Sequence, residues 1–231
     1  AIPTNEQNYH LIYSFIMDEV EVTYPYGGEY FIPGSNEVLR WEAFGNSARF
    51  TLEYSVDSGM TWINITSAPA DRRYFDWNVP TNITPNAMVR VTRGSLTHTS
   101  SKFNIMRQPN VNSINFTTTG LTTADMTWGA VNGADVYDIF ALGSKYMDSI
   151  GTTSMTSFPL SNLTPGTENW YAVRARKTDG TIGQRSNAKL FAFAPASVCD
   201  GCVEQISAFP HFQSFEDGLG NWCNFGNDFF D

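Results

Sequence analysis

The sequence predicts an all-β chain: two tandem β-sandwiches followed by a truncated third β module. Three observations carry this. Apolar residues alternate with polar ones along short runs bounded by Gly, Pro, Asn and Asp, and almost nothing shows helical periodicity. The alternation occurs twice, each time over roughly 90 residues, about the length of one sandwich. The two halves also share a landmark, a tryptophan followed after one residue by alanine, in LRWEA (Trp41) and DMTWGA (Trp128).

In the first half Val20, Val22 and Tyr24 alternate, as do Leu39, Trp41 and Ala43. Phe50, Leu52 and Tyr54 follow, then Phe75, Trp77 and Val79, then Val89 and Val91, and last Phe103 and Ile105. The spacing suggests about seven strands, the strand count of an immunoglobulin-like sandwich. In the second half Met126 and Trp128, Tyr137 and Ile139, and Tyr171, Val173 and Ala175 repeat the pattern before a last strand in NAKLFAF. A joint is expected at MRQPNV (106–111), where Pro109 cannot donate to a strand ladder. A second is expected at APASV (194–198), where composition shifts. The expected organisation is a lead-in from an upstream domain over 1–18, sandwiches over 19–107 and 108–196, and the beginning of a further module over 197–231.

Of the 231 residues 42% are apolar, enough for cores that need no cross-links over the first 198 residues. Charged residues make up only 16%, so the surface is rich in Ser, Thr, Asn and Gly, a balance common in extracellular β-proteins. The net charge of −9 leaves no basic footprint for nucleic acid. Apolar runs such as LFAFAPA (190–196) are too short to span a bilayer. The chain opens on AIPTNEQNYH, without initiator Met or signal-peptide core, and closes on GNDFFD, without a cap or turn. Both ends are expected to be cut from a longer protein.

Cys199, Cys202 and Cys223 are the three cysteines. A structural disulfide among them, or free thiols, is the expectation. Zinc would need two ligands beyond the C-x-x-C pair, and only His211 and Cys223 are at hand. A redox C-x-x-C is expected beside a βαβ unit, which this chain lacks.

Family resemblances sharpen this picture. The second module resembles a fibronectin type III domain over about 85 residues, through Trp128, VYDIFAL, NLTPGTENWYAVRA and GQRSNA. Leu163, Pro165, Gly166, Thr167, Val173 and Ala175 fit that family's turn into a central strand. Its tyrosine-corner position falls on Asn169, with Trp170 and Tyr171 as candidates to cover the gap. The first module, with YPYGGEYFIPG, LRW, LEYSVDSGMTW and FDWNVP, resembles an immunoglobulin-like module of bacterial secreted proteins. The tail resembles the opening of a MAM domain, a jelly-roll adhesion module, through Phe215, Glu216, Trp222, Cys223 and Asp228. The order of modules is similar to accessory regions of bacterial proteins exported by type IX secretion.

SVDSGMTW (55–62) has the S-x-D-x-G-x-T-W pattern of the Asp box, best known from sialidases. The residues have a mechanical reading as a structural turn. Asp57 accepts backbone N–H groups two or three residues on, Gly59 takes a positive φ, and Trp62 starts the return strand over the hairpin base. Sialidase chemistry would need an arginine cluster and a Tyr–Glu nucleophile pair, whereas Arg40, Arg49, Arg90 and Arg93 sit singly and Arg72 and Arg73 form a loop pair. His10, His98 and His211 are scattered, and no H-E-x-x-H, G-x-S-x-G or P-loop occurs. Of the paired carboxylates, Glu19/Glu21 read as a solvated strand face, and Glu216/Asp217 lie in the tail. No catalytic residue, metal site or cofactor is expected.

Two features point outward from the cell. Sequons occur at Asn64, Asn82, Asn115 and Asn162, and Asp148-Ser149-Ile150 is similar to the O-glycosylation site of bacteria with that secretion route, making Ser149 the acceptor. The expected function is a non-catalytic extracellular or cell-surface spacer or adhesion segment of a larger bacterial protein. Its partners would be neighbouring domains of the same polypeptide, with a glycan or surface protein as a further candidate. The alternative is a carbohydrate-binding accessory region of a secreted hydrolase, its catalytic domain upstream, with Tyr24, Tyr26, Tyr30 and Phe31 facing the ligand. The same aromatics also suit plugging the end of a sandwich. Finally, Phe209, Phe212, Phe215, Trp222 and Phe225 are expected to dock the tail as one or two extended strands on the second sandwich or on a partner chain.

Overall fold

A computed structural model describes residues 10–13, 17–45 and 47–194. The three cysteines, the tail aromatics, Glu216/Asp217 and the MAM-like segment lie outside the described residues. Every regular element described is a strand apart from one 3-10 turn, Val111–Ser113. No helix among the described residues is long and apolar enough to cross a membrane.

Nine strands fall between residues 19 and 105: β1 (Glu19–Tyr24), β2 (Tyr30–Phe31), β3 (Asn36–Phe44), β4 (Phe50–Ser55), β5 (Ile63–Ala68), β6 (Tyr74–Asn78), β7 (Thr84–Arg93), β8 (Leu96–Thr99) and β9 (Phe103–Ile105). They form a three-stranded sheet ordered β1-β3-β6 and a larger sheet ordered β2-β9-β7-β4-β5, with β8 paired to β7. All pairs are antiparallel except β2 with β9, where Phe31 lies opposite Ile105. The period-2 alternation explains the core. Val20, Val22, Leu39, Trp41, Ala43 and Trp77 project from the small sheet, and Phe50, Leu52, Val89, Val91, Phe103 and Ile105 from the large one. Trp41 meets Phe50 edge-on at 5.3 Å, and Trp77 meets Phe103 at 6.2 Å.

Eight strands fall between residues 115 and 192: β10 (Asn115–Thr118), β11 (Ala124–Thr127), β12 (Val136–Leu142), β13 (Met147–Thr153), β14 (Ser157–Leu160), β15 (Glu168–Arg176), β16 (Ile182–Arg185) and β17 (Lys189–Ala192). The sheets are β10-β11-β14 and β13-β12-β15-β16, with β17 also paired to β15. Met126, Trp128, Tyr137, Ile139, Leu160, Tyr171 and Val173 are buried. Trp128 packs edge-on against Tyr137 at 5.4 Å, and Phe116 stacks on Phe191 at 4.4 Å.

The shared tryptophan thus marks the middle strand of each three-stranded sheet: Trp41 lies within β3, and Trp128 immediately follows β11. Both halves are β-sandwiches of immunoglobulin-like and fibronectin type III architecture. By compactness the described chain divides into two units, one taking in the strands through Ile105 together with 131–135 and 175–184, the other the remaining described residues after 108.

Candidate functional site: the S-x-D-x-G-x-T-W turn and nearby surfaces

The motif residues lie on the β4–β5 connection and are knitted by their own polar groups. Asp57 Oδ1 accepts from the Ser55 hydroxyl at 2.7 Å and from the Thr61 N–H at 2.9 Å, while Oδ2 accepts from the Thr61 hydroxyl at 2.5 Å. The strongest backbone contact is therefore four residues on, at Thr61, with the Met60 N–H three residues on contributing less. Ser55 Oγ in turn accepts the N–H groups of Asp57 and Gly59, at 3.2 and 2.8 Å. Ser58 and Gly59 both take the left-handed conformation, with φ of 63° and 83°. The Ser58 N–H donates to the Asn86 carbonyl at 3.0 Å and the Thr84 hydroxyl to the Val56 carbonyl at 2.9 Å, which ties the turn to β7. The Arg90 guanidinium lies 4.2 Å from the Trp62 ring centroid and pairs with Glu53 at 2.6 Å.

These bonds decide the chemistry. The Thr61 hydroxyl and N–H and the Ser55 hydroxyl hold the Asp57 carboxyl down to about 2. It is ionised at neutral pH and cannot serve as a general acid, and both oxygens are already engaged in the turn.

The other candidates are placed as follows. Of the four aromatics, Phe31 is buried in the core and Tyr24 packs against it, edge-on to Phe31 at 5.9 Å. Phe31 thus faces the core and no ligand, which corrects that part of the assignment, while Tyr24 is half-buried. The cause is the parallel β2–β9 pairing, which turns Phe31 inward and leaves Tyr30 at the surface. Tyr26, 76% exposed, and Tyr30 remain outside. Ser149 is exposed on β13, at the edge of its sheet and opposite Phe140. The sequon residues Asn64, Asn82, Asn115 and Asn162 are exposed. Glu19 and Glu21 face solvent on β1. His98 Nδ1 accepts the Val22 N–H at 2.9 Å. Among the described residues no group of three His, Cys, Asp or Glu is placed to hold a metal ion.

The arginines are less scattered than their sequence positions imply. Arg73 and Arg93 converge on one ring, their guanidinium carbons 5.3 and 5.2 Å from the Phe50 centroid. They do not form a carboxylate-binding pocket. Arg73 donates to the Ala43 carbonyl at 2.9 Å, and buried Arg93 donates to the carbonyls of Glu19 and Phe44.

In the second sandwich, Thr167 and Asn169 occupy the place of the tyrosine corner. The Asn169 amide donates to the Thr167 hydroxyl at 3.2 Å, which donates to the Thr164 carbonyl at 2.6 Å. Trp170 is 40% exposed, whereas Tyr171 is buried against Phe116.

Sequence reasoning missed an open cleft of about 400 Å³ between the edge strands β5 and β6. It is lined by Ser67, Pro69, Arg72, Tyr74, Phe75 and Asp76. The available signal was the alternation of exposed Tyr74 and Asp76 around half-buried Phe75.

No family model and no curated protein matches the chain at significance. Among solved structures it is similar to a two-domain fibronectin type III segment of chicken tenascin, with 16% identity over 78% of this chain and 100% of that one and a TM-score of 0.44. It is similar to the FN1-FN3 domains of chicken CNTN1, with 15% identity over 76% and 64% of the two chains and a TM-score of 0.34. A Fn3-like protein from Clostridium thermocellum is 22% identical over 36% of this chain and 86% of its own, with a TM-score of 0.31. These are likenesses only, and the sandwich assignment rests on the strand orders themselves.

Proposed function

We propose that this chain is a non-catalytic segment of a larger secreted or surface-attached bacterial protein, in which two sandwiches space and orient neighbouring domains. The observation that carries the reading is the use made of the one motif with an enzymatic association. Asp57 commits both carboxylate oxygens to Ser55 and Thr61, and Gly59 and Trp62 complete the same turn. The polar chemistry of that motif goes into closing a hairpin.

The domain limits proposed are 1–18, 19–107, 108–196 and 197–231, the last as the start of a MAM-like module. The strand spans Glu19–Ile105 and Asn115–Ala192 fit inside the two middle segments. An extracellular location and export by the type IX route belong to the same reading, as does O-glycosylation at Ser149, which the exposed edge strand β13 leaves accessible. A disulfide among Cys199, Cys202 and Cys223 is part of it too.

The test is turnover by the chain on sialosides, other glycosides, esters and peptides. None is expected. Hydrolysis that survives repurification and disappears on replacing a single side chain would defeat the proposal.

A further inference from the structure

We propose that the β5–β6 cleft is a binding site for a neutral saccharide. The site does not depend on the spacer reading, and it lies on residues other than the tyrosines that the sequence nominated.

The cleft exists because β5 and β6 belong to different sheets and each ends its sheet, so the two strands diverge without pairing. Its volume of about 400 Å³ lies within the range of roughly 300–1,000 Å³ usual for small-ligand sites. One wall is held in place from behind. Arg49 donates to the Ser67 hydroxyl at 3.2 Å and to the Ser67 carbonyl at 3.0 Å, while the Arg72 N–H donates to the Pro69 carbonyl at 3.1 Å and closes the loop. The Arg72 guanidinium is held too: Nη1 donates to the Tyr74 hydroxyl at 2.9 Å, and the group lies 5.3 Å from the Tyr74 ring centroid.

Functional groups remain over. Among the described residues, neither the Asp76 carboxylate nor Nε and Nη2 of Arg72 has a hydrogen-bond partner. Tyr74 is 46% exposed, and Tyr74 and Asp76 share one face of β6. The cleft therefore offers fixed donors, a carboxylate acceptor and an aromatic surface, with one positive and one negative charge.

That combination favours a ligand rich in neutral hydroxyls over one of single charge or none. An anion meets Asp76 and a chain of net charge −9, and a cation meets Arg72. An apolar ligand would bury both ionic groups without partners. A saccharide has hydroxyls that donate to the carboxylate and accept from the guanidinium, and C–H faces that cover an aromatic ring. Bidentate pairing of vicinal hydroxyls suits a planar guanidinium in the way that two parallel acceptors do.

The experiment is a titration of the whole 231-residue chain by two-dimensional amide NMR. The probes are the neutral hexaoses of the cello, malto, manno and xylo series, with a sulfated hexasaccharide as comparison. Saturable shifts confined to residues 67–76 are expected with at least one neutral probe. Asp76→Asn and Tyr74→Ala should each weaken that binding about tenfold or more while leaving the remaining resonances in place. The proposal is overturned if none of the four neutral probes moves these resonances, if the saturable shifts map elsewhere, or if only the sulfated probe binds. It is equally overturned if the two variants, folded, bind as the parent does.

Discussion

Ser186 takes up both backbone groups of Val173: its hydroxyl accepts the Val173 N–H at 3.0 Å, and its own N–H donates to the Val173 carbonyl at 2.8 Å. Ser100 does the same for Val89, at 3.0 and 2.9 Å. In each sandwich this serine falls between two short strands that pair with the same neighbour, β8 and β9 on β7, and β16 and β17 on β15. All four residues are buried, so the hydroxyl replaces a ladder partner that water cannot supply. The device is a second internal repeat, beyond the tryptophans.

Removing the hydroxyl leaves a buried N–H unpaired. Ser100→Ala and Ser186→Ala should each cost roughly 1–3 kcal/mol. Hydrogen exchange locates the effect: the Val89 amide should exchange faster in the first variant and the Val173 amide in the second. Unchanged protection at these two amides would show that the hydroxyls are dispensable.

Acid should loosen the aspartate turns. The Thr61 groups and the Ser55 hydroxyl hold Asp57 at about 2, and the Thr181 hydroxyl and the Lys177 ammonium hold Asp179 at about 2, both from a usual 3.8. A depressed folded-state value means that the contribution is complete above the unfolded value and is lost as pH falls through the folded one. The unfolding temperature should therefore drop between pH 3.8 and about 2. Asp57→Asn should flatten part of that drop. An acid profile identical to the parent's would remove Asp57 from the account.

At Gly59 two obstacles coincide. Its φ is 83°, and a Cβ there would lie 3.2 Å from the Trp62 ring. Gly59→Val should destabilise the first sandwich by on the order of 1–3 kcal/mol. Urea unfolding followed by tryptophan fluorescence measures it, and an unmoved midpoint would refute the turn geometry.

Arg93 is 1% exposed and donates to the carbonyls of Glu19 and Phe44, which lie opposite each other where β1 meets β3. Arg93→Met keeps much of the volume but removes the donors, at a cost of roughly 1.5–3 kcal/mol for charge-assisted bonds. Faster amide exchange along β1 should accompany the loss. Stability equal to the parent's would mean that the two carbonyls find other partners.

The central strands were legible because burial on one face writes itself into the sequence. Val20 and Val22, Leu39 and Trp41, and Val89 and Val91 alternate cleanly, and each pair lies in the core. Strands with little such signal were missed. In β5, INITSA, only Ala68 is buried, and the edge strand β13, MDSIGTT, has no buried residue. The two-residue β2 depends on a partner more than 70 positions away, which is why Phe31 looked available. In β4 Tyr54 packs against Trp77 as its alternation implies, but the next residue, Ser55, is buried as well, beyond a register shift after Leu52 that period-2 counting cannot foresee. The turn at Asp57 was readable because its groups act within seven residues of one another. The β5–β6 cleft was not, because it depends on consecutive strands being assigned to different sheets.

Strand β4 has unlike fastenings at its two ends. At Phe50 it is gripped by Arg73 and Arg93, whose guanidinium charge persists at any ordinary pH. At Ser55 it is gripped by a carboxylate that acid can discharge. Acidification therefore weakens the fastening at one end only, and fraying should begin at Ser55 rather than at Phe50. The hairpin behaves like a zipper whose slider sits at Asp57 and whose stop is stitched at Phe50.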